Sequence, residues 1–148
     1  MTQELTASSV LVDGRMRYES RIRAYPPIIT DYPAPAGGDR GPTSLELFLA
    51  SLCTCVGGSV SHVLRRSKGE FEGLTVRARA ERRTEHPTYF KSVRLEVELV
   101  SSTVTEDELK EAVEVAESDI CPVWNMVKDT VPVTFDCSVK NGAARQER

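Results

Sequence analysis

An α+β domain with a largely antiparallel sheet is the fold class the sequence predicts, and three observations carry that prediction. Strand-like runs come mostly in adjacent pairs separated by turn-forming residues, as hairpins do. One uncharged run, LFLASLCTCVGGSVSHVL at 47–64, stands between the first and second pair. An amphipathic helix with a capping signature follows the second pair.

The 148 residues suffice for one domain with a core of its own. We expect an ordered core over about residues 5–139 and a flexible tail over 140–148. The formal net charge of −3 argues against general nucleic-acid binding. No basic start, apolar middle and small-residue cleavage site occur together, so no secretory signal is read and a cytoplasmic location is expected. Thiols stay reduced there, so the four cysteines read as chemical or core groups rather than as a disulfide scaffold.

Taken in order, residues 7–12 and 15–25 form a predicted hairpin about Asp13-Gly14. Met16, Tyr18, Ser20, Ile22 and Ala24 share one face of its second strand; Arg15, Arg17, Glu19, Arg21 and Arg23 share the other, a solvated one. Residues 28–32 give a short third strand. Pro and Gly then accumulate over 31–44, which neither helix nor strand accommodates. Thr43 or Ser44 caps a long helix over about 45–66 that ends near Gly69.

That helix contains the eighteen-residue uncharged run, long enough at ~1.5 Å per residue to cross about 27 Å of hydrocarbon. Its composition opposes a membrane role. Ser51, Thr54, Gly57, Gly58, Ser59, Ser61 and His62 gain little from transfer into lipid. A helix small or apolar on every face is a core helix, with small residues where other backbone comes close. Strands over 74–82 and 89–100 follow, the second alternating Val93, Leu95, Val97 and Leu99 with polar residues. Thr105-Glu106-Asp107-Glu108 is a capping box, and Leu109, Ala112, Val113, Ala116 and Ile120 form one helical stripe. The last strand, 131–139, puts Val133, Phe135, Cys137 and Val139 on one face.

The cysteines differ in what their neighbours imply. Cys137, in phase with Val133 and Phe135, reads as a buried, inert thiol. Cys121 precedes Pro122, which suits the first position of a short helix to about Val127. At its N-cap a thiol would feel the helix dipole, which lowers a thiol pKa; the competing reading is a small buried residue before a turn, and both stay open. Cys53 and Cys55 lie about 200° apart on the long helix and cannot face one partner. Reactivity at either requires a nearby cation; otherwise both are core residues. Zinc held by Cys53, Cys55 and His62 lacks the paired spacing of a structural site, and no metal is expected.

Three motifs together resemble the OsmC/Ohr family, the osmotically inducible and organic hydroperoxide resistance proteins. They are DYPAPAGGDRGPTSLELFLASLCTC at 31–55, EHPTYF at 85–90 and ICPVW at 120–124. Gly-Pro-x-x-x-Glu-Leu followed by Ala-Ser-Leu-x-x-Cys is most similar to the broad OsmC-like branch. The resemblance spans about residues 5–139. It implies an intertwined homodimer, with curved, largely antiparallel sheets around long central helices.

The resemblance further implies a thiol peroxidase acting on organic hydroperoxides. In that role Cys55 attacks peroxide, Cys121 resolves the sulfenic acid as a disulfide, and an external dithiol, lipoyl groups in the well-studied branch, restores the thiols. No metal or organic cofactor is implied. Phe48, Phe90, Trp124 and Met126 would line an apolar substrate pocket. Family members hold the thiolate with an arginine and a glutamate. Glu46 is the counterpart here, one place later than in the Ohr branch; Arg40 is the candidate arginine, with Arg23 or Arg21 behind it. The alternative is a redox-responsive or small-molecule-binding dimer that keeps the fold without turnover.

Overall fold

The computed structural model describes residues 2–142, and the chain divides into two compact units, Met1–Phe48 and Leu49–Arg148. The expected flexible tail therefore falls largely outside the described residues. Of its described residues, 140–142, Lys140 still belongs to a strand.

The first unit is a three-stranded antiparallel sheet in the order β1 (Ser8–Leu11), β2 (Tyr18–Arg21), β3 (Ile28–Thr30). Ser8 opposes Arg21 and Leu11 opposes Tyr18. The hairpin turns at Gly14, whose φ of 69° lies in the left-handed region that glycine tolerates. Both strands are shorter than the alternation predicts, for a local reason. The Asp13 carboxylate accepts the N–H groups of Arg15 at 2.9 Å and Arg17 at 3.1 Å, widening the turn. At the other end Arg23, at φ 51°, breaks the extended backbone. Tyr18 and Ile22 are exposed, as are Val10 and Leu11.

The Pro/Gly segment is organised by Asp31, which is fully buried. Its carboxylate accepts the N–H groups of Tyr32 (2.8 Å), Arg40 (3.1 Å) and Gly38 (3.2 Å), and Arg17 Nε lies 3.4 Å away. Burial alone would oppose the charge, but those N–H groups and the guanidinium outweigh it and hold the carboxyl below its usual range. Gly37 packs so closely on the Tyr32 backbone and this carboxylate that a Cβ has no room.

Helix α1 (Ser44–Arg66) begins in the first unit, and the boundary falls within it. Thr43 and Glu46 form a reciprocal cap: Thr43 N–H donates to Glu46 Oε2 at 2.7 Å, and Glu46 N–H to Thr43 Oγ1 at 3.3 Å. By length and composition α1 could cross a membrane. Leu52, Val56, Ser59, Val60 and Leu64 are its buried residues, mostly at four-residue spacing.

In the second unit, β4 (Gly73–Arg82) and β5 (Phe90–Val100) pair antiparallel, with Leu74 opposite Leu99. The strand β6 (Val133–Lys140) pairs with β5 in parallel, Val93 beside Val133 and Val100 beside Lys140. Hairpin reasoning does not anticipate that pairing. Between β5 and β6 the chain runs through α2 (Glu106–Val115), a π turn (Ala116–Ile120) and α3 (Pro122–Val127), and a helical crossover returns it to the end where it began. The core joins Leu52, Val56, Val60 and Leu64 to Val93, Leu95, Val97 and Leu99 and to Leu109, Ala112, Val113 and Trp124.

The capping box at Thr105 is present in both directions: Thr105 N–H donates to Glu108 Oε2 at 2.7 Å, and Glu108 N–H to Thr105 Oγ1 at 3.2 Å. Thr105→Ala is expected to lower unfolding free energy by about 1 kcal/mol. A shifted urea midpoint at constant slope is the expected record, and an unchanged midpoint would contradict it.

A paired-cysteine candidate active site

Cys55 and Cys121, 66 positions apart in sequence, stand with their sulfurs 3.0 Å apart, and neither is oxidised. Cys55 comes from the middle of α1 and is half-buried. Cys121 is fully buried at the N-cap of α3, at φ −75° and ψ 105°, with Pro122 in the first helical position. The extended backbone before proline and the fixed φ of proline together place this thiol at the helix entrance.

Of the two readings left open for Cys121, the buried one holds, and the helix dipole does not lower its pKa. Desolvation pushes the thiol up, and its hydrogen bond to Cys55 and the charge Cys55 carries when ionised add to that, giving a value of about 11. The Trp124 backbone N–H and the Ser59 hydroxyl favour the anion but do not compensate. A six-residue helix has a weak dipole, and full burial is the larger effect. The pair is therefore asymmetric. Cys121 keeps its proton and donates it toward Cys55, and Cys55 is the sulfur that accepts.

The other two thiols stand outside the pair. Cys53 is half-buried, and burial raises its pKa. At Cys137 burial acts first and the carboxylates of Glu106 and Asp136 add to it, bringing the value to about 11.

A pH dependence follows. A thiol whose pKa rises from 9.0 to about 11 on folding holds its proton more tightly in the native state. Stability is then unaffected below pH about 9 and falls as pH rises toward 11. Urea midpoints of the reduced protein are expected to drop over that window, and to drop less in a Cys121→Ala/Cys137→Ala variant. Equal slopes in the two proteins would refute the assignment.

Glu46 is exposed and its carboxylate is occupied by the Thr43 N–H and hydroxyl, which hold its pKa below the usual value. Arg40 is exposed, and its backbone N–H, not its guanidinium, is the group bonded to Asp31. Arg21 pairs with Glu19, and Arg23 lies 4.7 Å over the Tyr25 ring. Phe48 is half-buried at the end of the first unit, and Phe90 is buried at the start of β5.

Trp124 and Met126 do not share a wall. They are two residues apart on α3 and point to opposite sides. Trp124 is fully buried, its ring edge-on to Phe135 at 6.1 Å, whereas Met126 is 72% exposed. His62 is exposed. Among the described residues no three His, Cys, Asp or Glu side chains gather in a way that would hold a metal ion.

Sequence reading missed Asp31, the buried organiser of the Pro/Gly segment, and Asn125. Asn125 Nδ2 donates to the carbonyls of Glu117 at 2.8 Å and Cys121 at 2.9 Å. The available signal was an amide four residues after the cysteine, on the same helical face.

Residues 37–136 match the model of the OsmC-like protein family. No match was found among curated proteins. Among solved structures the chain is similar to a hypothetical protein from Aquifex aeolicus VF5, at 22% identity and TM-score 0.83, covering 96% of this chain and 100% of that one. It is also similar to an OsmC-like protein from Mycoplasma pneumoniae, at 18% identity and TM-score 0.78, covering 97% and 100%. A third is an organic hydroperoxide resistance protein OsmC from Legionella pneumophila, at 17% identity and TM-score 0.72, covering 94% and 99%. At such identities the structures speak for the fold. The family model spans well over half of the 148 residues, both cysteines of the pair included, and the chain belongs to the OsmC-like protein family.

Proposed function

We propose that the protein is a thiol-dependent peroxidase for organic hydroperoxides, with Cys55 as the attacking sulfur and Cys121 as the resolving one. The observation that carries this reading is the 3.0 Å approach of the two sulfurs with Cys121 as donor. A disulfide requires about 2.05 Å, so closure asks for a shift of roughly 1 Å. The name of the Legionella pneumophila relative adds the substrate class.

In the first step the Cys55 thiolate attacks the distal peroxide oxygen. The O–O bond breaks, the alkoxide leaves and is protonated to an alcohol, and Cys55 becomes a sulfenic acid. In the second step Cys121 attacks the sulfenic sulfur; an S–S bond forms and the Cys121 proton and the sulfenic hydroxyl leave as water. An external dithiol then takes up the disulfide by two exchanges and is itself oxidised to a cyclic disulfide. No metal or organic cofactor takes part.

The functional unit we propose is a homodimer located in the cytoplasm. What supports the dimer is exposed apolar surface: few residues of α1 are buried, and Val10, Leu11, Tyr18 and Ile22 are exposed. Arg40 and Glu46 remain the proposed activating pair, and they become so if the Glu46 carboxylate leaves Thr43. That engagement favours the second reading, a redox-responsive dimer without efficient turnover.

The test is peptide mapping of the fully reduced protein after one equivalent of cumene hydroperoxide. Loss of two hydrogens and a Cys55–Cys121 crosslink are expected. A stable added oxygen on Cys55, or no change, would shift the assignment to the second reading. Cys53→Ser is expected to retain turnover within about twofold, since that thiol lies outside the pair; a loss beyond tenfold would contradict the assignment.

A further inference from the structure

Cys121 is delivered by a helix that changes pitch just before it. In the π turn Ala116–Ile120 the Cys121 N–H bonds to the Ala116 carbonyl at 2.8 Å, five residues back instead of four. This displaces the hydrogen-bond ladder by one place. The Glu117 carbonyl would look to Cys121 N–H in an α-helix, but that group is engaged with Ala116. One residue further on is Pro122, which has no N–H. Side chains supply the donors instead: Asn125 Nδ2 at 2.8 Å and Lys128 Nζ at 3.4 Å.

The same Asn125 amide reaches the Cys121 carbonyl at 2.9 Å, which also accepts the Asn125 backbone N–H at 3.0 Å. A single half-buried side chain therefore ties the end of the π turn to the first turn of α3, with Cys121 held between them. We infer that Asn125 is a positioning residue for the resolving step, its amide clamping the Glu117 and Cys121 carbonyls so that Cys121 Sγ is held against Cys55. The inference rests on the peroxidase reading for its biological meaning, but the clamp itself concerns only how Cys121 meets an oxidised Cys55.

The two chemical steps depend on the clamp differently. Attack of Cys55 on an oxidant needs nothing from Cys121's backbone. Formation of the Cys55–Cys121 bond needs the second sulfur aligned, and loss of alignment is costly when reacting atoms must approach bonding distance. Asn125 should therefore act on the second step alone.

The experiment uses the Cys53→Ser/Cys137→Ser protein, reduced, with dithiobis(nitrobenzoic acid) as oxidant. The exposed edge of Cys55 takes one aryl thiolate and releases the other. Cys121 then loses its proton to solvent, attacks the mixed disulfide and releases the second. Two phases of aryl thiolate release follow. Asn125→Leu, which keeps the volume without the donors, and Asn125→Ala are expected to leave the first phase unchanged and slow the second about tenfold. A second phase at the parental rate, or equal slowing of both phases, would overturn the inference. Failure of both variants to fold would overturn it too, by making Asn125 a residue of the fold rather than of the site.

Failure of the peroxidase reading is recorded separately. It would show as thiols left intact by cumene hydroperoxide in a protein that still gives two phases with the aryl disulfide.

Discussion

Cys55→Ser is expected to reduce hydroperoxide turnover by at least about 10³-fold, whereas Cys121→Ser is expected to permit one oxidation and no cycle. The contrast follows from the unequal environments of the two sulfurs. Cys55 is half-buried and accepts the hydrogen bond, so it is the sulfur an incoming peroxide can meet. Serine there offers a hydroxyl that neither ionises near neutral pH nor yields a stable oxidised form. Cys121 is sealed from solvent and holds its proton, with a pKa of about 11, so it is poorly suited to attack peroxide directly. Its replacement should leave the first oxygen transfer intact and strand Cys55 as a sulfenic acid. Trapping with dimedone, followed by mass analysis, would show one added label on Cys55 in Cys121→Ser and none in Cys55→Ser. Turnover by Cys55→Ser near the parental rate, or a label on Cys121 in that variant, would reverse the proposed roles.

The fold was legible where one local signal decided an element. Thr105 and Glu108 set the start of α2, and Cys121-Pro122 set the start of α3, because each is settled by backbone geometry within a few residues. The parallel placement of β6 was not legible. Its alternation of Val133, Phe135, Cys137 and Val139 fixes a face but says nothing about direction, which depends on the length and path of the crossover. The π turn was equally hidden. The Leu109–Ile120 stripe reads as uninterrupted helix, and the extra residue is revealed only by the Cys121 N–H reaching Ala116.

At the candidate site the distinction is between residue type and environment. A resemblance could single out Cys55 and Cys121 by motif, but not the sign of the pKa shift at Cys121. A dipole argument uses only the neighbouring sequence, whereas the opposing effects depend on burial in the folded chain and on Cys55, brought from 66 positions away to within 3.0 Å. Met126 illustrates the same limit. Helical spacing separates it from Trp124 by about 200°, and only the packed structure says which of the two faces inward.

Trp124→Ala is expected to cost about 3–5 kcal/mol of unfolding free energy, the largest stability effect in this set. The side chain is fully buried and packs edge-on against Phe135 at 6.1 Å and 83°, so truncation loses both its transfer energy and a ring contact in a site that cannot easily collapse. A second substitution separates the packing from the polar atom. Trp124 Nε1 is buried and has no hydrogen-bond partner among the described residues, and such a donor carries a desolvation cost that the native state bears. Trp124→Phe deletes that donor while retaining an aromatic ring, so its cost should be well under half that of Trp124→Ala. Urea unfolding of the three reduced proteins, analysed at a common slope, gives both values. Equal losses for Phe and Ala would mean that the indole N–H does find an acceptor, and that the polar atom rather than the ring holds this end of α3 beside Cys121.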